Sequence, residues 1–236
     1  MIKTRIFAVL CFLLFSVVFI FNTESQDNFD IRTIDPTDMV SPSENERAMT
    51  AYSIGTYLMH QNRLDEAENF LKEAISLDPA FVDAMDHLGI VYRRQNRLAE
   101  AEEIYLRSIA LNDRNRVPFI NLAVVYRLQG RLNDAFQMYR HVVITHPDDP
   151  EGYFGIGTIY YIIDDYDNAM PFFDMAINLY LRLNSALVYN AFLYKGMIYF
   201  NTGNYDDAVV YLEEARKGNP NNETIEWALN EMKSSR

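Results

Sequence analysis

Cysteine, histidine and basic residues are scarce in this sequence, and each shortage excludes a class of function. The one cysteine, Cys11, cannot form a disulfide bond within the chain. The four histidines show no i, i+4 pair and have no cysteine partners, so no metal site is predicted. Acidic residues outnumber basic ones 33 to 21, and the resulting formal charge of −12 repels nucleic-acid phosphates. We therefore expect neither a metalloprotein nor a nucleic-acid-binding protein.

Side chains arranged for catalysis are also missing from the sequence. The nine glycines form no phosphate-binding loop. Asp164, Asp165 and Asp167 stand close together, but the glycine and the distal glutamate of a calcium-binding loop are absent. We interpret these acids as turn and helix-cap residues. The sequence thus predicts no catalytic, cofactor-binding or metal-binding residue, and an enzyme is the least favoured class.

The segment 1–22 has the layout of an export signal. Lys3 and Arg5 precede an apolar run at 6–21, and polar and acidic residues follow it. A basic head before an apolar stretch is typical of export signals, and the basic end stays in the cytoplasm. The sequence leaves two alternatives open. One is a membrane anchor with the following chain on the exported side, periplasmic or extracellular; the other is a cleaved signal and a secreted protein.

A polar linker is predicted between the export segment and the folded domain. Residues 23–42 contain Pro36 and Pro42 and lack a helical pattern. Ser43 followed by Glu46 fits a capping box, in which each side chain binds a free backbone N–H at a helix start. The sequence therefore predicts that the first helix begins at these residues.

A repeat of 34 residues organises the chain from residue 48 onwards. Small residues recur at Gly55, Gly89, Ala123, Gly157 and Gly196, and at Ala67, Ala101, Ala135, Ala169 and Ala208. Large residues recur in step at Leu58, Tyr92, Tyr126, Tyr160 and Tyr199, and at Leu71, Tyr105, Tyr139, Phe173 and Leu212. The interval is 34 residues three times and then 39. Small residues let two helices approach closely, and the rings and leucines fill the remaining space.

Two further features of the repeat predict local structure. One position in each repeat is suited to a left-handed turn between helices, at Asn62, Asn96, Gly130, Asp164 and Gly203. The extra residues at 184–188 indicate a longer second helix in the fourth repeat.

At these positions the sequence resembles the tetratricopeptide repeat (TPR) family, whose unit is two antiparallel helices in 34 residues. The resemblance implies an all-α fold, a right-handed superhelix of five helix pairs. The solenoid is predicted to span 43–222, with repeats at 48–81, 82–115, 116–149, 150–183 and 189–222. A capping helix is predicted at 223–236, because Ile225, Leu229 and Met232 form one apolar stripe.

The same resemblance implies a binding function. In this family the first helices of the pairs line a concave groove that receives peptide segments or helices. The residues placed there by register are Tyr52, Ile90, Arg93, Arg94, Asn121, Arg127, Phe154, Thr158, Tyr161, Tyr194, Met197 and Phe200. The groove is predicted to change from arginine-bearing to aromatic along the chain. The lysines and asparagines with which some members hold a chaperone tail are absent here except for Asn121, so such a tail is not the expected ligand.

Two functions remain open on the sequence alone. The first is a non-enzymatic scaffold, exported and tethered to the membrane, that binds a peptide or helix of a partner protein without a cofactor. The second is a self-associating structural module, in which the aromatic C-terminal half pairs with a second copy of the chain.

Overall fold

The computed structural model describes residues 43–234, which form eleven α-helices and no strand. The export segment and linker predicted for 1–42 lie outside the described residues. The helices are α1 (Glu46–His60), α2 (Leu64–Leu77), α3 (Val82–Arg94), α4 (Leu98–Leu111), α5 (Arg116–Leu128), α6 (Leu132–Thr145), α7 (Pro150–Ile162), α8 (Tyr166–Arg182), α9 (Val188–Asn201), α10 (Tyr205–Gly218) and α11 (Glu223–Ser234).

The first ten helices are arranged as five consecutive pairs. The two helices of each pair pack on each other, and the second helix of each pair packs on the first helix of the next. The first helices of neighbouring pairs also contact one another, so α1, α3, α5, α7 and α9 form one continuous layer. The final helix, α11, covers α9 and α10 and buries Ile225, Leu229 and Met232. The described chain is therefore an all-helical solenoid.

Small residues set the distance between the helices of a pair. A Cβ atom added at Gly89 would lie 2.4 Å from the ring of Tyr105, which is fully buried. One added at Gly55 would lie 2.8 Å from the Leu71 side chain. The five alanines of the second small-residue series have no exposed surface at all. The predicted packing of small against large residues is confirmed.

The five predicted turn residues all adopt the left-handed conformation. Their φ angles are 58° at Asn62, 59° at Asn96, 75° at Gly130, 57° at Asp164 and 78° at Gly203. The longer second helix of the fourth pair is also confirmed, since α8 has 17 residues where the other second helices have 14. A sixth left-handed residue, Asn184 with φ 51°, follows that longer helix and was not predicted.

The predicted capping box at the start of α1 is wrong. Asn45 is the N-cap residue, and its Oδ1 atom accepts hydrogen bonds from the backbone N–H groups of Arg47 and Ala48 at 3.1 and 3.2 Å. Ser43 instead accepts from the backbone N–H of Asn45. Asn45 also donates to the carbonyl of Leu77 at 3.1 Å, so this one side chain both caps α1 and ties it to the end of α2.

A buried carboxyl group joins the second and third pairs. Asp86 on α3 is 2% exposed, and its two oxygens accept from Ser108 on α4 at 2.5 Å and from the Asn115 side chain at 2.9 Å. Asn115 is the N-cap residue of α5. Burial raises the pKa of Asp86 from 3.8 to about 8, and the charge of Asp83 acts in the same direction. The hydrogen bonds from Ser108 and Asn115 lower the pKa, but burial outweighs them, so the protonated form of the carboxyl group is favoured at neutral pH.

We predict that Ala135→Leu strongly destabilises the fold. Ala135 is fully buried on α6, and overpacking such a contact costs about 1–3 kcal/mol. Ala110→Leu is the matched control, because Ala110 is exposed on α4. Urea unfolding followed by circular dichroism measures both. Equal denaturation midpoints for the two variants would contradict the packing described above.

We also predict that Asp86 makes the fold less stable as the pH rises through neutrality. Because its pKa is higher in the native state, the stabilisation from binding the proton is complete below about pH 4 and is lost as the pH approaches about 8. The free energy of unfolding should fall by about 1 kcal/mol between roughly pH 7 and pH 8. Asp86→Asn keeps groups that bind Ser108 and Asn115 but has no proton to lose, so it should remove this part of the slope. The prediction fails if the variant and the wild type show the same pH dependence.

Candidate partner-binding groove

Buried polar side chains are concentrated on the layer of first helices. Within the described residues, seven of the nine buried polar or charged residues lie there, and the other two, Ser108 and Asn115, bind the Asp86 carboxyl group. The seven are Asp83, Asp86 and His87 on α3, Asn121 on α5, Glu151 and Thr158 on α7, and Lys195 on α9. Burying a polar group is costly unless it is hydrogen-bonded. This layer therefore has a polar character that close packing of helices does not require.

The twelve residues predicted to line the groove fall into two classes of exposure. Six are buried: Tyr52, Ile90, Asn121, Phe154, Thr158 and Met197. Six are half-buried: Arg93, Arg94, Arg127, Tyr161, Tyr194 and Phe200. The half-buried class holds every charged residue of the set and three of its aromatic residues. The partly accessible residues of the set thus include both charged and aromatic side chains.

The buried tyrosine at the N-terminal end belongs to a contact between the first two pairs. The ring of Tyr52 lies 4.9 Å from that of Phe81 and 5.3 Å from that of His87, measured between centroids. The His87 ring nitrogen Nδ1 lies 2.8 Å from the backbone carbonyl oxygen of Asp83. Burial lowers the pKa of His87 to about 4, so the imidazole is neutral at pH 7. The His87 side chain therefore adds no charge to this end of the layer.

Two arginines occupy the same register position at the ends of α3 and α5. Burial lowers the pKa of Arg93, while the nearby Tyr105 hydroxyl acts in the opposite direction. Burial raises the pKa of the Tyr194 hydroxyl, and the nearby Arg127 guanidinium offsets only part of this rise. Both cations are therefore held against tyrosine hydroxyls in the middle of the layer.

Arg94 points toward the preceding pair. Its Nη1 atom donates to the backbone carbonyl of Met59 at 3.1 Å, and its Nη2 atom lies 3.5 Å from Oδ1 of Asn62. Because Met59 lies in the last turn of α1 and Asn62 is the turn residue that follows α1, Arg94 ties the first two pairs together. This side chain has a structural contact in addition to its predicted place in the groove.

Aromatic rings join the fourth and fifth pairs at the C-terminal end. The Tyr194 ring lies 5.5 Å from Phe154, 5.1 Å from Tyr161 and 5.3 Å from Phe173. The ring of Phe200 lies 5.2 Å from that of Trp227 on α11. Aromatic pairs at such distances add to the stability supplied by burial alone. The same rings that hold these pairs together leave part of Tyr161, Tyr194 and Phe200 accessible.

Sequence reasoning missed two buried acids of this layer, Asp83 and Glu151. They lie in the first turns of α3 and α7, where an acidic residue is ordinarily explained by the helix dipole. Burial raises the pKa of the Tyr139 hydroxyl; the charge of Arg127 lowers this pKa and the charge of Glu151 raises it. Arg127 and Glu151 therefore both lie near Tyr139. Asp83 and Glu151 occupy the same register position two repeats apart, and this regular spacing was the signal available in the sequence.

The described part of the layer of first helices combines charged and aromatic side chains. Within 43–234, no group of three or more His, Cys, Asp or Glu side chains could hold a metal ion. None of the described helices is long and apolar enough to cross a membrane. What the layer offers is a run of guanidinium groups followed by rings, which is the chemistry of protein recognition.

Three family models match the sequence, and together they cover most of the described helices. Residues 39–143 match the middle TPR-like domain of cilia and flagella-associated protein 70. Residues 150–181 and 190–222 each match a tetratricopeptide repeat model. No curated protein sequence matches this chain.

Solved structures resemble the solenoid at low sequence identity. The APC/C hetero-tetramer Cut9–Hcn1 matches with a TM-score of 0.71 and 19% identity over 77% of this chain, which spans 35% of that one. Pseudomonas aeruginosa pilF matches with a TM-score of 0.66 and 19% identity, covering 76% of this chain and 80% of the other. YrrB, described as a TPR protein with an unusual peptide-binding site, matches with a TM-score of 0.55 and 22% identity. The match covers 80% of this chain and 94% of YrrB.

These structural likenesses show the fold alone, and the repeat models supply the family. The 34-residue register, the paired helices and the three matches all agree. The chain belongs to the tetratricopeptide repeat family.

Proposed function

We propose that this protein is a non-enzymatic scaffold that binds a segment of a partner protein along its layer of first helices. The observation that carries the proposal is one register position in the last turn of these helices. It holds Met59, Arg93, Arg127, Tyr161 and Phe200 in successive pairs. The last four are half-buried, so cations and then rings are offered in a fixed order.

The order of these side chains specifies the chemistry of the partner. Arginine can bind a carboxylate through two parallel hydrogen bonds, and aromatic residues in a covered patch commonly dominate binding energy. The partner segment therefore carries apolar anchors that meet Tyr161, Tyr194 and Phe200, with acidic groups that meet Arg93 and Arg127. A fold neighbour described as having a peptide-binding site supports a peptide ligand.

We predict that a photo-reactive phenylalanine analogue placed at Tyr161 captures this partner in cells. The same analogue at Tyr57 is the control, because Tyr57 is 61% exposed on α1 but holds the register position that is buried in the next pairs, at Val91 and Val125. Adducts identified by mass spectrometry should include a protein that appears with Tyr161 and not with Tyr57. If both positions give the same adducts, or neither gives any, the groove is not the binding surface.

The arginine part of the proposal has its own test once that partner is identified. Arg127→Gln should weaken binding roughly tenfold, because a lost charge-assisted hydrogen bond is worth about 1.5–3 kcal/mol and water replaces part of it. Arg140→Gln is the matched control, since Arg140 is exposed on α6. Isothermal titration calorimetry gives the affinities, and thermal melting checks that both variants are folded. Equal affinities for the two variants would remove the arginines from the site.

We propose further that the solenoid acts on the exported side of a membrane. The support is the basic head and apolar run at 1–22 in the sequence. We predict that a protease added outside the membrane degrades the repeats. A protected domain, recovered freely soluble in the cytoplasm, would contradict export.

The alternative to a scaffold for other proteins is self-association through the aromatic half of the solenoid. Light scattering of the purified full chain separates the two. A mass of twice the 27.5 kDa of one chain, lost on substitution of Tyr161, would favour self-association.

A further inference from the structure

One edge of the solenoid changes its charge between the third and fourth pairs. This turn edge consists of the turns inside the pairs together with the first turn of each second helix. In the second pair, Arg97 precedes α4, lies 4.4 Å from the centre of the Tyr92 ring and binds Glu68 and Glu100 at 2.6 and 2.9 Å. The edge of this pair thus contains its own cation.

The third pair repeats the arrangement, and the last two pairs do not. Arg131 precedes α6, lies 4.1 Å from the centre of the Tyr126 ring and binds Glu102 and Asp134 at 2.9 and 2.8 Å. At the same register position the fourth and fifth pairs have Asp165 and Asn204. Arg63 holds the same position in the first pair, so the cation present in the first three pairs is replaced by an acid and an amide in the last two.

Aromatic rings are exposed where that cation is missing. Phe200, at the end of α9, lies 5.9 Å from the ring of Tyr205 and 5.2 Å from that of Trp227. Tyr205 is 37% exposed and Trp227 is 39% exposed, although both are large and largely apolar. We name these three residues the Trp227 surface. It lies at the C-terminal end of the turn edge, beside the covering helix α11.

Acidic residues surround the Trp227 surface. Asp206 and Asp207 directly follow Tyr205, and both are exposed. Glu223 and Glu231 lie one helical turn before and after Trp227 on α11, so they share its face and are exposed as well. Lys233, the one base of α11, is displaced by roughly 120° around that helix. The rings are thus accessible at the centre of a negative rim.

We propose that the Trp227 surface binds a partner segment in which lysine or arginine stands between apolar side chains. Trp is the aromatic ring that attracts a cation most strongly, and the rim supplies carboxylates for the same cation. The chain shows this arrangement internally, where Arg97 and Arg131 each combine a tyrosine ring with two acids. This surface uses other elements than the arginine part of the groove and does not rest on it.

The one tryptophan of the chain makes this surface directly observable. Because the sequence contains a single Trp, the fluorescence of the full chain reports on Trp227 alone. The probes are two synthetic peptides of equal length with the same leucine positions, one with arginine and the other with glutamate between them. The arginine peptide should shift the emission to shorter wavelength in a saturable way, and the glutamate peptide should leave it unchanged. No saturable shift with the arginine peptide, or the same shift with both, overturns the proposal.

A pair of charge-matched variants separates this surface from attraction by the overall charge. Asp206→Asn with Glu223→Gln removes two charges from the rim. Glu44→Gln with Glu73→Gln removes two exposed charges from the N-terminal end of the solenoid. The rim variant should bind the arginine peptide roughly three- to tenfold more weakly, and the distant variant as the wild type does. Equal weakening by both variants shows a diffuse effect of the −12 charge and overturns the proposal. Circular dichroism establishes that each variant is folded.

Discussion

In four of the five helix pairs, a leucine or an aromatic ring of the second helix packs directly against a glycine of the first. The Tyr105 ring would lie 2.4 Å from a Cβ atom at Gly89, so the two backbones come as close as they do only because that atom is missing. The close approach fixes each pair as a unit, and the left-handed turn residues such as Asn96 fix its angle. Since no pair can cover its own apolar face, stacking follows, and stacking places the first helices side by side.

That layer of first helices carries both contacts that stabilise the fold and the surface proposed to bind a partner. The buried Asp86 carboxyl group joins α3, α4 and the start of α5. The half-buried side chains of the predicted groove are arginines in the second and third pairs and aromatic residues in the fourth and fifth pairs. Tyr194 belongs to both roles, because its ring joins the fourth and fifth pairs while part of it stays accessible. A variant at such a residue changes binding and folding together, which is why matched controls on other surfaces are needed.

The sequence predicted the pairs, the turns and the small-against-large packing because each is repeated in register. It could not predict contacts made once. Asn45 replaces Ser43 as the cap of α1 because its amide reaches both a helix start and the carbonyl of Leu77. Register also places a residue on a face without saying how deeply its neighbours cover it, so Thr158 was predicted for the groove and is 2% exposed. The residues that bind a partner stay a prediction.

Hydrogen–deuterium exchange of the full chain, with and without its captured partner, tests the central claim most directly. A segment bound along the layer of first helices holds those helices closed, so their amides should exchange more slowly in the complex. Exchange should slow in α5, α7 and α9. Slower exchange confined to α4, α6 and α8, with the first helices unchanged, would contradict it.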